Sequence, residues 1–539
     1  MSEFAEAALR WIEDDPDEAS RAELRAVLDG LPGTAADLAD RFAGPLTFGT
    51  AGLRGPLRAG PNGMNLAVVR AAAAGLIAWL ADRDTPGPLV IGYDARRGSK
   101  AFAEETARVA TGAGRQALIL PRPLPTPVVA HLVRRLGAAA GVVVTASHNP
   151  PEDNGYKVYL ADGAQLVPPA DREIEAAIRA VGALSTVPLG DAGEVLPESA
   201  VESYVDSAVA VIPAGGPRAL TVAYTPLHGV GAPVLSAVLE RAGFTTPLIV
   251  AEQAEPDAAF PTVAFPNPEE PGAIDRVLAL AAAKGADLAL ANDPDADRCA
   301  VAVPGPAGWR MLRGDEVGVL LADHLMRRGV AGRYATTIVS SSLLRAMCAA
   351  RGVPYGETLT GFKWIVRAGD DLAYGYEEAL GYCVAPEHVR DKDGITAALT
   401  VCELAAGLKE QGRTLLDRLD ELAREFGVYA TDQLSVRVTD LAEIARAMAT
   451  VRRRPPVSLL DEPVSDVDDL LPDADVVTLR AEGIRVVVRP SGTEPKLKAY
   501  LEVVEPVADG DLTAARERAA AGVVALRAEV AAALGLIRP

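Results

Sequence analysis

Residues 142–159 read VVVTASHNPPEDNGYKVY. A β-branched run stops at Ser147 and His148, and Pro150 and Pro151 then keep the chain from entering a helix. A strand that ends in Ser-His and turns away is an odd thing to build for stability alone. The serine can be a nucleophile if something accepts its proton, or if it already carries a phosphoryl group to pass on. Lys157, on the following strand-like run, is long enough to return to the same place. The pair does not read as a Ser-His hydrolase: GxSxG is absent and no Asp-His partner is marked in the sequence. His148 is expected to orient the serine or its phosphate.

Three other loops carry comparable chemistry. In ANDPDADRC, Asp293, Asp295 and Asp297 alternate after an apolar run, and period-two spacing could aim all three carboxylates to one side. Such a group repels itself unless a divalent cation sits among the oxygens, and an oxygen-only set suits Mg²⁺. The EF-hand pattern fails, with Arg298 at its sixth position and Pro304 at its twelfth. A solvated acidic turn is the competing reading. In LAYGYEEALGY, Glu377 and Glu378 could accept two sugar hydroxyls side by side, or could simply open an exposed helix. In RPSGTEPKLK, Arg489, Ser491, Gly492 and Thr493, with Lys496 and Lys498 nearby, make a phosphate cradle of guanidinium, hydroxyls and close backbone N–H groups. Lysine is scarce, eight in 539 residues, and five of the eight (157, 363, 392, 496, 498) fall in such loops. Lysine can give up its proton where arginine cannot.

The elements that must position these loops are legible in outline. Residues 1–40 read as helical, broken at DDPDE. From 41–212, 213–313 and 314–428, strand-like runs alternate with alanine-rich helical ones, which implies mainly parallel sheets covered by helices. The helical stretch DGITAALTVCELAAGLKEQG belongs, on this reading, to the third unit. Residues 429–539 look α+β. Ligands of open α/β sheets sit beyond the carboxyl ends of strands, where the first three loops lie.

Composition bounds the rest. The chain is 49% apolar and 23% charged, as in a globular enzyme. Its formal charge of −20 argues against nucleic acid or an anionic membrane as partner, and requires a local basic cleft if the substrate is anionic. Four dispersed cysteines with no CxxC spacing fit a reducing cytoplasm, and the acidic N-terminal stretch is neither signal nor transit peptide. Nothing indicates an oligomeric state.

Together the loops resemble those of the α-D-phosphohexomutases, the phosphoglucomutases and phosphomannomutases. TASHNP resembles the phosphoserine loop, DPDADR the metal loop, GYEEALG the sugar-recognition loop and RPSGTEPK the phosphate-binding loop, in the family order. FGTAGLRGP with Arg54, GYDARRGS, TPLHGVG, TGFKWI with Lys363 and RDKDGI with Lys392 fit as well, and the long form resembles the phosphoglucomutase-2-like branch. The resemblance implies four domains around a central cleft: three α/β domains with mixed, mainly parallel sheets and a C-terminal α+β domain. It implies phosphorylation of Ser147, and Mg²⁺ held by that phosphoserine with Asp293, Asp295 and Asp297. A sugar bisphosphate would be the intermediate and activator, and the reaction would interconvert hexose 1- and 6-phosphates. Arg54 and Arg298 would brace the moving phosphoryl group. Lys157 would be the general base, its pKa lowered by neighbouring cations. Lys363 and Lys392 would act from the third domain with Glu377, while Arg489, Ser491, Gly492 and Thr493 would hold the unreactive phosphate. One departure stands out: many hexomutases have a serine two residues after the sugar-binding glutamate, and here that position is Ala379. The absent hydroxyl leaves pentose phosphates as the alternative substrates.

Overall fold

The computed structural model describes residues 3–47, 52–438, 441–491 and 496–535. They form two compact units, Met1–Leu312 with Leu380–Glu410, and Arg313–Ala379 with Gln411–Pro539.

The first unit opens with the helices Glu3–Asp14, Glu18–Asp29 and Ala35–Arg41. The break at DDPDE has a local cause. Asp17 is the N-cap of the second helix, its carboxylate accepting from the N–H groups of Ala19 and Ser20. The apolar stripes of these helices meet through Ala5, Ala8, Val27 and Leu38.

A six-stranded sheet follows, in the order Leu53–Pro56, Asp153–Leu160, Ala140–Val144, Leu89–Tyr93, Ala117–Ile119, Glu194–Val195. The pairings from Ala140–Val144 onward are parallel, and the two at the Leu53–Pro56 edge are antiparallel. Leu89–Tyr93 and Ala140–Val144 are buried along their whole length, which is why they read as unbroken apolar runs rather than alternating ones. The second sheet runs Gly308–Met311, Ala300–Gly305, Leu288–Ala291, Val222–Thr225, Leu248–Ile249, parallel among its last three strands.

The chain leaves this unit at Leu312 and re-enters it at Leu380. The helix Gly394–Glu410 packs against the helix Gly231–Arg241 and the strand Leu288–Ala291. It is buried on nearly every side, as its even apolar character requires.

In the second unit, Tyr355–Thr358, Arg333–Thr337 and Leu372–Glu377 pair in parallel. Residues beyond 427 form the expected α+β portion. It is an antiparallel sheet, Val428–Arg437, Lys496–Glu505, Ile484–Pro490, Val477–Ala481, Asp466–Asp469, packed with the helices Leu441–Arg453 and Leu512–Leu534. No helix among the described residues is long and apolar enough to cross a membrane.

Candidate active site

Ser147 follows the fully buried strand Ala140–Val144 and takes a left-handed backbone, φ +50°, that a serine seldom adopts. Two features hold it there. Its N–H donates to Thr145 Oγ1 at 2.8 Å. The guanidinium of Arg96 then donates to four carbonyls of the same turn: Ser147 at 2.7 Å, Asn149 at 2.5 Å, Pro150 at 2.7 Å and Asp153 at 3.1 Å. Strain of this kind persists only where the surroundings over-determine it.

The serine hydroxyl donates to Asp293 Oδ2 at 2.6 Å and accepts from Arg298 Nη1 at 2.9 Å. The loop of alternating aspartates is thus beside the serine loop, although 146 residues separate Ser147 from Asp293. Asp293, Asp295 and Asp297 are wholly buried, each with an oxygen within 4.8 Å of the others. Close approach of backbones makes this possible. A Cβ on Gly229, in TPLHGVG, would stand 2.3 Å from Pro294 Cα, and one on Gly394, in RDKDGI, 2.3 Å from Arg298 O.

Two lysines complete the cluster. The antiparallel strand Asp153–Leu160 sets Lys157 opposite Val143 and sends its ammonium to Asp295 Oδ2 at 2.7 Å and Asp297 Oδ2 at 2.8 Å. Lys392 Nζ lies 3.1 Å from the same Asp297 oxygen. Its loop belongs to the segment Leu380–Glu410, which clusters with the first unit. The ion pairs overturn the expected acidification of Lys157. Burial does push that ammonium down, but Asp295 and Asp297 outweigh it and the pKa is raised.

The carboxylates are poised differently. Burial, then Asp295 and Asp297, push Asp293 up to about 7. Burial and Asp297 would raise Asp295 too, but Lys157 holds it below the usual range, and Asp297 lies well below that range beside Lys157 and Lys392. His148, half-buried, is kept well below the ordinary imidazole pKa by burial and by Arg298 and Arg54, so its ring is neutral. Arg54 donates to Asn149 Oδ1 at 3.0 Å, within the serine loop. Arg54, Arg96, Arg298, Lys157 and Lys392 gather at these loops in a chain whose overall charge is −20.

The donor set fits a hard divalent cation. All ligand atoms on offer are oxygens, and Asp295 Oδ1 is buried with no hydrogen-bond partner among the described residues, an uncompensated acceptor facing into the cluster.

Glu377, Glu378 and the described part of RPSGTEPKLK lie in the second unit. Glu377 ends the strand Leu372–Glu377, so the acids do not open a helix. Glu378 accepts from Ser340 Oγ at 3.1 Å and Thr337 Oγ1 at 3.4 Å, and burial raises its pKa. Lys363, in the helix Phe362–Ile365, is nearly buried with Nζ 5.7 Å from the Trp364 ring centroid. Arg489 pairs across strands with Lys498, and Ser491 N donates to Lys496 O at 2.8 Å. Gly492 and Thr493 lie outside the described residues, as does the GTA of FGTAGLRGP.

Sequence reasoning assigned no role to Arg96 or to Thr126, whose hydroxyl donates to Asp295 Oδ2 at 2.6 Å. Arg96 stood in a noted motif. Thr126, in PLPTPVV, carried no signal at all.

Models of four successive domains match the chain: phosphoglucomutase/phosphomannomutase α/β/α domain I at 45–184, domain II at 202–306, domain III at 313–426 and the C-terminal domain at 434–520. The chain belongs to the phosphoglucomutase/phosphomannomutase family. It is therefore an enzyme of intramolecular phosphoryl transfer, an isomerase. A "probable phosphomannomutase" of Haemophilus influenzae is 46% identical over 453 residues, covering 82% of this chain and 93% of its own. A "probable phosphoribomutase" of Schizosaccharomyces pombe is 33% identical over 552 residues, with 91% and 92% coverage. A solved phosphoglucomutase/phosphomannomutase family protein of Burkholderia thailandensis shares the fold, with a TM-score of 0.69 at 18% identity, over 88% of this chain and 97% of that one.

Proposed function

We propose that the enzyme interconverts hexose 1-phosphates and hexose 6-phosphates, glucose or mannose, through phospho-Ser147 and a sugar bisphosphate. The observation that carries this reading is the serine hydroxyl set between Asp293 and Arg298, 2.6 and 2.9 Å away, beside a three-carboxylate cluster. Phospho-Ser147 passes its phosphoryl group to a free hydroxyl of the bound monophosphate: the new P–O bond forms on the sugar, the old one to Oγ breaks, and the hydroxyl proton leaves to a base. The bisphosphate turns over, its other phosphate returns to Ser147, and the isomer departs.

Asp293, Asp295 and Asp297, with the phosphoserine, would hold Mg²⁺, which when bound neutralises charge on the transferring group. The charge balance supports this. A divalent cation and a doubly ionised phosphoserine cancel, so phosphorylation leaves the net charge of the buried cluster where it was. Arg298, already on Oγ, braces the phosphoryl oxygens, and Arg54 steadies the turn through Asn149. Neutral His148 orients and does not take the proton. Lys157 enters the resting site as an ammonium, so its service as base requires it to leave Asp295 and Asp297 when substrate binds. Glu377 and Glu378 on the sugar hydroxyls, Lys363, Lys392 and Lys496 on the bound substrate, and Arg489, Ser491, Gly492 and Thr493 on the distal phosphate complete the proposal.

Freshly purified protein should show a fraction heavier by one phosphoryl group, absent from Ser147→Ala, which should also lose activity. Full activity in Ser147→Ala would end the reading. A pentose reading is the alternative, favoured by Ala379 in place of a sugar-contacting serine and by the phosphoribomutase relative. With catalytic sugar bisphosphate, kcat/KM on glucose 1-, mannose 1- and ribose 1-phosphate separates the two, since an unmatched hydroxyl costs about 1–3 kcal/mol.

A further inference from the structure

Lys392 sits between two aspartates that face the interior, and each is tied to a different element. Asp391 accepts on Oδ2 from Tyr159 OH and from Gln165 Nε2, both at 2.6 Å. Its Oδ1 accepts from Lys392 N at 2.8 Å and lies 3.6 Å from Lys392 Nζ. Asp393 accepts from Tyr204 OH at 2.9 Å, and from the N–H groups of Ile395 and Thr396 at 3.0 and 3.1 Å. Both aspartates and both tyrosines are at most 2% exposed.

The three partners come from places that do not otherwise meet this loop in sequence. Tyr159 lies two residues beyond Lys157 on the strand Asp153–Leu160, so the two share a face. One strand therefore fixes both ammonium groups that converge on Asp297, Lys157 directly and Lys392 through Asp391. Tyr204 comes from the helix Glu198–Val209.

Burying two carboxylates is costly unless each is fully partnered, and apolar residues of the same volume would serve stability as well or better. A lysine at the end of four rotatable carbons is held only if its backbone is fixed on both sides and its head has a defined partner. The arrangement around 391–393 meets both conditions.

We infer that Tyr159, Gln165 and Tyr204 are positioning residues that set Lys392 for phosphoryl transfer, acting through Asp391 and Asp393. The inference rests on the mutase reading above. It also implies that their effect on the reaction exists only while Lys392 is present.

The test is a double-mutant cycle read in a single turnover. The full chain is phosphorylated at Ser147 with glucose 1,6-bisphosphate and freed of excess reagent. It is then mixed with glucose 1-phosphate and Mg²⁺, and loss of the phosphoryl mass from the protein is followed by intact-mass spectrometry. Tyr159→Phe and Tyr204→Phe are each measured alone and combined with Lys392→Met. Removing one hydrogen bond to a charged group should slow transfer about fivefold to tenfold in the parent background. In the Lys392→Met background the same changes should slow it by less than about twofold. A purely structural role would slow transfer equally in both backgrounds, and that outcome, or no slowing in the parent, overturns the inference. Should Tyr204→Phe fail to fold, Gln165→Leu supplies the same cycle on the other side of Lys392. If the parent never gains the phosphoryl mass, the mutase reading falls and takes this inference with it. If it does, the two stand or fall separately.

Discussion

Lys157→Met tests the electrostatic account of the cluster most directly. It removes the ammonium that donates to Asp295 and Asp297 at 2.7 and 2.8 Å while leaving a stem of similar volume. Breaking a buried ion pair from one side costs about 3–5 kcal/mol, because the partner charge stays behind unpaired. Thr126 at 2.6 Å from Asp295 and Lys392 at 3.1 Å from Asp297 remain, so the expected loss lies near the lower end, about 3 kcal/mol. The pH dependence follows from the shifts. Asp295 and Asp297 are depressed in the folded protein, so their contribution is present above the unfolded carboxylate pKa and lost only as pH falls through the lower folded values. Without Lys157, burial and mutual repulsion act on Asp295 unopposed and its folded pKa rises above the unfolded one. The variant then bears a penalty at neutral pH that acid relieves. The deficit should be largest near pH 7.5 and narrow toward about pH 5. Hydrogen exchange in chelator, read on peptides spanning Asp153–Leu160 and Leu288–Ala291, reports the local opening free energy without assuming that a chain of two units unfolds in one step. A deficit under about 1 kcal/mol at neutral pH, or one that widens on acidification, would refute the reasoning.

Three further outcomes are expected. Gly229→Ala places a methyl 2.3 Å from Pro294 Cα and should destabilise the first unit by about 1–3 kcal/mol. It should also raise the Mg²⁺ concentration needed for half-maximal activity; an unchanged magnesium titration would show that the metal loop does not depend on that approach. Arg96→Met leaves four carbonyls of the Ser147 turn without their donor, so the fraction of enzyme that bisphosphate can phosphorylate should fall, measured by intact mass. Arg96→Lys should not restore it, since a point charge cannot span the four. In the second unit, burial pushes Asp315 up to about 6, so its ionisation removes stability as pH rises from the unfolded carboxylate value to there. Asp315→Asn keeps an acceptor for Ser341 N and Tyr376 OH and should gain about 1–2 kcal/mol at neutral pH but nothing near pH 4, by hydrogen exchange on peptides spanning Gly314–Arg327 and Leu372–Glu377.

Which residues could share a site is readable where the donor types are written in one short string. TASHNP and the alternating aspartates of DPDADR each carry donor types, spacing and an apolar strand ahead of them, and the structure joins them through a 2.6 Å hydrogen bond. The sheets were readable for a related reason: a strand buried on both faces leaves an apolar run that neighbouring loops do not imitate. What could not be read was pairing. The expected lowering of the Lys157 pKa rests on cations in other motifs, whereas the charges that decide the matter lie on Asp295 and Asp297, 138 and 140 residues away. Nothing in RDKDGI announces that Lys392 meets Asp297, 95 residues earlier in the chain, at 3.1 Å. Thr126 is a hydroxyl among prolines and valines, with nothing local to distinguish it from a turn. A side chain's donor type is fixed by the residue, but the sign of its pKa shift depends on the inverse distance to every other charge, and for buried groups that distance is set by the sheet that brings strands together.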